Sequence, residues 1–142
     1  MEYPFNGLKF PQDWESKEFS NKVLVSDDDR EINELIRSIL EREKLESIAA
    51  YSGRETLQKI IEHKPKVVVL DMMLPKGSGF LVIEKVMEIV KDKEKPPYII
   101  MITANEGKRH EMYARHLGVS EYINKPFPNE RIVEFVKKYY SK

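Results

Sequence analysis

The sequence predicts an α/β protein with five parallel strands in one doubly wound sheet. Three observations carry that expectation. Short apolar runs alternate five times with segments whose apolar residues recur at helical spacing. The central run, Val67-Val68-Val69-Leu70, is apolar at every position and largely β-branched, as in a strand buried on both faces. A carboxylate, Asp71, closes that run, and Pro75, Gly77 and Gly79 break regular structure just beyond it. In open α/β sheets the crevice at the carboxyl ends of the strands holds the chemistry, which places Asp71 as a reactive or ligating group.

The elements follow in order. Residues 1–21 hold Pro4, Gly7, Pro11 and the only tryptophan, Trp14; they read as an N-terminal arm or extension with a short helix between Gln12 and Phe19. Residues 22–142 read as the folded domain. Val23 to Val25 is a strand, followed by Ser26 and the acidic triplet Asp27-Asp28-Asp29. Ile32, Leu35, Ile36, Ile39 and Leu40 then give a helix one apolar face. Ser47 to Tyr51 is a second strand, and Ser52-Gly53 opens a helix stopped near Pro65. After the central strand, Phe80, Ile83, Val86, Met87 and Val90 mark a third helix. Tyr98 to Ile102 is a strand ending at Thr103-Ala104-Asn105, and Lys108 to Leu117 is a helix stopped by Gly118. Glu121 to Ile123 is the last strand, followed by Asn124-Lys125-Pro126-Phe127 and a helix carrying Ile132, Phe135, Val136, Tyr139 and Tyr140. Strand and helix alternating five times demand a parallel sheet covered on both faces, with right-handed crossovers.

Composition narrows the function classes. Lysine plus arginine and aspartate plus glutamate both number 24, so the net charge is zero, which argues against a dominant electrostatic grip on nucleic acid or an anionic membrane. No apolar run reaches the roughly 20 residues of a membrane span, and no signal peptide is visible at the N-terminus. With no cysteine, disulfides and thiolate metal sites are excluded, and a cytoplasmic location is expected. Only six of the 24 acidic residues are aspartates, and four of those six stand at two strand ends. The shorter side chain is used where a carboxylate must be held at a fixed distance from the backbone.

Asp27-Asp28-Asp29, Asp71, Thr103 and Lys125 all fall at strand ends that the fold places on one edge. One aspartate can cap a helix and another can favour its first turn, but three exceed that need. Carboxylates from separate strands repel one another unless a cation lies between them. Carboxylate oxygens without histidine or cysteine suit Mg²⁺. The three histidines, His63, His110 and His116, fall on helices away from these ends and read as surface residues.

Together these residues resemble the receiver domain of two-component response regulators, in its stand-alone, chemotaxis-regulator-like form with a flavodoxin-like fold. The resemblance rests on Asp27-Asp28, on Asp71 with Pro75 and Gly79, on Thr103-Ala104, and on Tyr122 before Lys125-Pro126-Phe127. It spans residue 22 to about 140. It implies that Asp71 accepts a phosphoryl group from a sensor histidine kinase or phosphotransfer protein. It implies Mg²⁺ held by Asp28, Asp71 and the Met73 backbone carbonyl, with Asp27 acting through a metal-bound water. Thr103, Ala104 and Lys125 would bind the phosphoryl group. Thr103 and Tyr122 would form the switch, and Pro75, Gly79 and a cis Lys125-Pro126 bond would shape the turns. Met73 and Asn105 occupy positions that tune dephosphorylation in the family. Ser26 departs from the usual apolar residue there.

Such a chain is a phosphoacceptor switch rather than an enzyme, limited to its own phosphorylation and dephosphorylation. It would signal to a protein target, or by self-association, through the face around Tyr122. Alternatives are a receiver module of a hybrid kinase or longer regulator, against which Met1 and the arm weigh mildly, and a Mg²⁺-dependent phosphohydrolase. The latter would want a second aspartate where Met73 stands. A flavin mononucleotide binder on this architecture would want a phosphate-cradling loop where the three aspartates lie.

Overall fold

The computed structural model describes residues 3–104 and 107–142. Five strands, β1 (Ser20–Ser26), β2 (Ser47–Ala50), β3 (Pro65–Asp71), β4 (Tyr98–Thr103) and β5 (Glu121–Asn124), form one parallel sheet in the order β2-β1-β3-β4-β5. Helices α1 (Arg30–Arg42), α2 (Gly53–His63), α3 (Gly79–Ile89), α4 (Lys108–Leu117) and α5 (Asn129–Tyr140) alternate with them. The doubly wound five-stranded sheet expected from the sequence is the fold observed.

Strand alternation divides the core. Val23, Val25, Val67, Val69, Ile100 and Ile102 pack with Ile36 and Leu40 of α1 and Ile132 and Val136 of α5. Leu24, Val68, Leu70, Ile99 and Met101 point the other way, onto Leu57 and Ile60 of α2, Val82, Ile83 and Val86 of α3, and Ala114 of α4. Because successive side chains of a strand face opposite sides, an uninterrupted apolar run serves both layers. The strand order reverses between β1 and β3, so their carboxyl ends, Ser26-Asp27 and Asp71, flank the crevice of such a sheet.

Three local expectations are corrected. Leu35 is 48% exposed, while Asn33, Ile36 and Leu40 form the buried face of α1. Leu35 lies roughly 100° around the helix from Ile36, off the stripe. Between Gln12 and Phe19 the chain makes only a 3₁₀ turn, Trp14–Ser16, in which the Trp14 carbonyl accepts from both the Lys17 amide and Lys64, while Glu15 and Lys17 offer their carbonyls to Lys64. His110 is half-buried rather than on the surface: its ring stacks on Phe80, with centroids 6.1 Å apart, and its Nδ1 is buried without a hydrogen bond.

Residues before β1 are packed against the domain. Phe5 and Trp14 are buried in the α2–α3 layer, with Leu8, Phe10 and Phe19 packed against it. Trp14 Nε1 donates to the Ile60 carbonyl at 3.3 Å. Lys64, the left-handed residue that ends α2, is buried, and its ammonium donates to the carbonyls of Trp14, Glu15 and Lys17. It also lies over the Trp14 and Phe19 rings, at 4.6 and 4.4 Å from their centroids.

Candidate functional site

The site begins with the turn after β1. Asp29 is the N-cap of α1: its Oδ1 accepts from the amides of Glu31 and Ile32, at 3.0 and 3.3 Å. Asp27 turns inward, is 1% exposed, and accepts the Asp29 amide at 3.0 Å. Asp28 stands exposed at the rim. The triplet therefore divides its labour, one residue capping the helix and two left for the crevice.

Asn33 holds this turn from below. Its Nδ2 lies 3.1 Å from the carbonyls of Val25, Asp27 and Ala50, and its Oδ1 accepts from Arg37 Nε at 2.7 Å. Sequence reasoning missed it. The available signal was an amide interrupting the apolar stripe of α1, with an arginine four residues later. Ser26 is explained as well: its hydroxyl lies 2.8 Å from that of Thr56, so the polar residue at the end of β1 is buried with a partner.

Asp71 ends β3 and is 5% exposed. Its Oδ1 accepts the Met73 amide at 3.0 Å. Gly79 opens α3 so close to Asp71 that a Cβ there would come within 2.7 Å of the Asp71 carbonyl oxygen; its amide donates to the Met72 carbonyl at 2.9 Å. Pro75 offers its carbonyl to the Gly53 amide. Met73 presents its side chain to solvent, 68% exposed.

Lys125 enters from the far side of the crevice. The Lys125-Pro126 peptide is cis, and the Lys125 amide donates to the Thr103 carbonyl at 2.8 Å. Its Nζ lies 3.4 Å from Asp27 Oδ2 and 3.4 Å from Asp71 Oδ2. Thr103 is buried at the end of β4, paired in register with Asn124, and Ala104 follows it, exposed. Tyr122 is buried among the α2–α3–α4 layer. Asn105 lies outside the described residues.

Charge is concentrated here. Oxygens of Asp27, Asp28 and Asp71 lie within 4.8 Å of one another. Burial pushes the Asp71 carboxyl above its ordinary value; the Met73 amide opposes this, Asp27 adds to it, and Lys125 opposes it. Burial pulls Lys125 down, but Asp71 and Asp27 raise it on balance. One ammonium faces three carboxyl groups, so the site retains negative charge for a further cation. Hard oxygen donors at this spacing fit Mg²⁺ by their chemistry.

The model of the response regulator receiver domain matches residues 23–137. The chain belongs to this family. Solved structures agree with the assignment. A CheY-like receiver domain protein of Methanospirillum hungatei is 26% identical, with a TM-score of 0.77 over 85% of this chain and 94% of that one. A two-component response regulator of Clostridium difficile, 22% identical, shares the fold with a TM-score of 0.77, covering 87% of this chain and 98% of its own. The chemotaxis protein CheY4 of Vibrio cholerae, 24% identical, shares it with a TM-score of 0.74 over 86% and 99%. This receiver domain is thus a module of two-component signalling, with the acidic Mg²⁺-type site of its family at Asp27, Asp28 and Asp71. Receiver domains are in general phosphoacceptors rather than catalysts, and a histidine kinase is their generic partner. Among the described residues no helix is long and apolar enough to cross a membrane.

Proposed function

We propose that this chain is a phosphorylation switch. Asp71 accepts a phosphoryl group from the phosphohistidine of a sensor histidine kinase or phosphotransfer protein, and the phosphorylated form signals through protein contacts around Tyr122. The observation that carries the reading is the position of Lys125 Nζ, 3.4 Å from both Asp27 and Asp71, with Asp28 completing the acidic trio.

In the transfer, the bond from histidine nitrogen to phosphorus breaks and a bond from an Asp71 carboxylate oxygen forms. The histidine keeps the electron pair. A carboxylate meeting an anionic phosphoryl group needs nearby positive charge, and phosphoryl transfer is mainly positioning plus charge neutralisation. Lys125 supplies a fixed ammonium. The Met73 amide orients Asp71 through Oδ1. The Thr103 hydroxyl and the backbone at Ala104 take the phosphoryl oxygens remote from Lys125. Asp28, Asp71 and the Met73 carbonyl would hold Mg²⁺, and Asp27 would act through a metal-bound water. A Mg²⁺ ion held there would supply positive charge to offset both the crowded carboxylates and the incoming phosphoryl group.

Output follows from Thr103. Drawing its hydroxyl toward the phosphoryl group moves the end of β4 and favours a different packing of Tyr122, one strand over. A difference of a few kcal/mol between the two packings is enough to shift their populations strongly.

The test is incubation with a small acyl phosphate, with and without Mg²⁺. Native protein should acquire one base-labile phosphoryl group only when Mg²⁺ is present, and Asp71→Asn should acquire none. An equal phosphoprotein yield in Asp71→Asn contradicts the assignment.

A further inference from the structure

We propose that residues 3–19 form a strap that positions the β3–α3 loop, with Phe5 and Arg54 as positioning residues for the metal edge of the Asp71 site. The inference rests on the phosphoacceptor reading above and assigns a role to a segment outside the family match at residues 23–137.

The strap is anchored at the two ends of β3. At one end Lys64, just before β3, binds the carbonyls of Trp14, Glu15 and Lys17. At the other, Phe5 lies against Gly77, six residues beyond Asp71; a Cβ on Gly77 would come within 2.9 Å of the Phe5 ring. Leu8 and Phe10 pack on the core between these anchors.

The β3–α3 loop needs such support. Lys76 and Gly77 are consecutive left-handed residues, with φ of 52° and 105°. A non-glycine residue holds that conformation only where its surroundings impose it. Two partners do so. The first turn of α2 donates the Gly53 amide to the Pro75 carbonyl at 2.9 Å and the Arg54 amide to the Lys76 carbonyl at 2.8 Å. Gly53 approaches so closely that a Cβ there would lie 1.8 Å from the Gly77 carbonyl oxygen. The second partner is the strap, through Phe5.

Arg54 joins the two. Its backbone amide holds the loop, and its guanidinium Nη1 donates to the strap carbonyls of Pro4 and Asn6, at 3.1 and 2.6 Å. The same loop carries the Met73 amide that fixes Asp71 Oδ1 and the Met73 carbonyl read as a metal ligand. Docking of Phe5 therefore sets where that carbonyl stands. By linkage, a ligand that favours the ordered loop also favours the docked strap.

Amide hydrogen exchange of the metal-free full chain and calorimetric titration with Mg²⁺ test this, on native protein, Phe5→Ala, Phe5→Leu and Phe10→Ala. Phe5→Ala should accelerate exchange at Met73 and Gly79 about tenfold relative to β1 and β4 amides, and weaken Mg²⁺ binding by about tenfold. Phe5→Leu, which refills the space, should restore both. Phe10→Ala, which removes a contact with Trp14 and not with the loop, should lower the melting temperature and change neither. Either readout left at its native value in Phe5→Ala overturns the proposal. So does an equal change in Phe10→Ala, since that marks general loosening. If Phe5→Ala does not fold, Arg54→Gln carries the same expectations. Native protein that binds no Mg²⁺ contradicts the phosphoacceptor reading instead, and exchange alone then decides whether the strap positions the loop.

Discussion

Two lysines stand at opposite ends of β3, Lys64 buried and Lys125 half-buried, and they are answered in opposite ways. Lys125, at the carboxyl edge, faces the carboxylates of Asp27 and Asp71. Lys64, at the amino edge, faces three backbone carbonyls and two aromatic rings. Burial lowers Lys64, with Glu15 opposing and Lys17 adding, whereas Asp71 and Asp27 raise Lys125 against the pull of burial. Dipoles that belong to the backbone cannot be exchanged for a ligand. Carboxylates can trade one cation for another, or accept a phosphoryl group. The same residue type thus serves as a fixed clamp at one edge and as the cation of a carboxylate cluster at the other.

The largest effect expected from breaking this contrast is at the clamp. Lys64→Met should cost about 2–4 kcal/mol, because the bonds of one buried ammonium to three carbonyls, and its place over two aromatic rings, are lost together. Urea unfolding measures it, and Mg²⁺ should return none of the loss. Lys125→Ala should cost less, about 1–2 kcal/mol in metal-free protein, since the pair is partly exposed to solvent. Saturating Mg²⁺ should recover most of that deficit by replacing the missing positive charge. A loss at Lys125 that Mg²⁺ leaves untouched would remove the distinction between the two edges.

Acidity sharpens the comparison further. The folded pKa of Asp71 is raised above its value of 3.8 in the free side chain. The native state therefore holds this proton more tightly than the unfolded chain. Ionisation of Asp71 costs stability, and the cost grows as pH rises above 3.8. Asp71→Asn should be more stable than native metal-free protein at pH 7, because the buried site then holds one carboxylate fewer. The gap should close as pH falls toward 3.8. Melting curves of the two proteins across acidic pH measure it, and a gap that widens on acidification contradicts the sign.

The smallest effect separates the acidic triplet. Asp29→Ala should lose a helix cap, about 1 kcal/mol, and leave Mg²⁺ affinity near native. Thermal melts with and without Mg²⁺ are sufficient to see it.

Much of this was legible in the sequence, for a physical reason. The strands are runs of β-branched residues whose alternation is felt by both layers, and the helices carry their own period. Asp27, Asp28, Asp71 and Lys125 stand where such elements end, so chain order alone directs them to one edge. Asn33, Lys64 and the strap were not legible. Asn33 reads as a blemish in an apolar stripe, and Lys64 as a charged residue at a helix end. Their partners are backbone carbonyls up to 50 residues away, which carry no side-chain signature. The expected helix before Phe19 gives way to one 3₁₀ turn whose carbonyls share Lys64, a partner 47 to 50 residues away that has no local signature.

The central claim is that the carboxyl edge is built around a divalent cation beside Asp71. The most direct measurement is calorimetric titration of Mg²⁺ into native protein and Asp28→Ala at neutral pH. Asp28 is the exposed member of the trio, so its removal leaves the packing of the fold intact. Native protein should show a single site, and Asp28→Ala affinity at least about tenfold weaker with no fall in melting temperature. Equal Mg²⁺ affinity in the two proteins would contradict the claim.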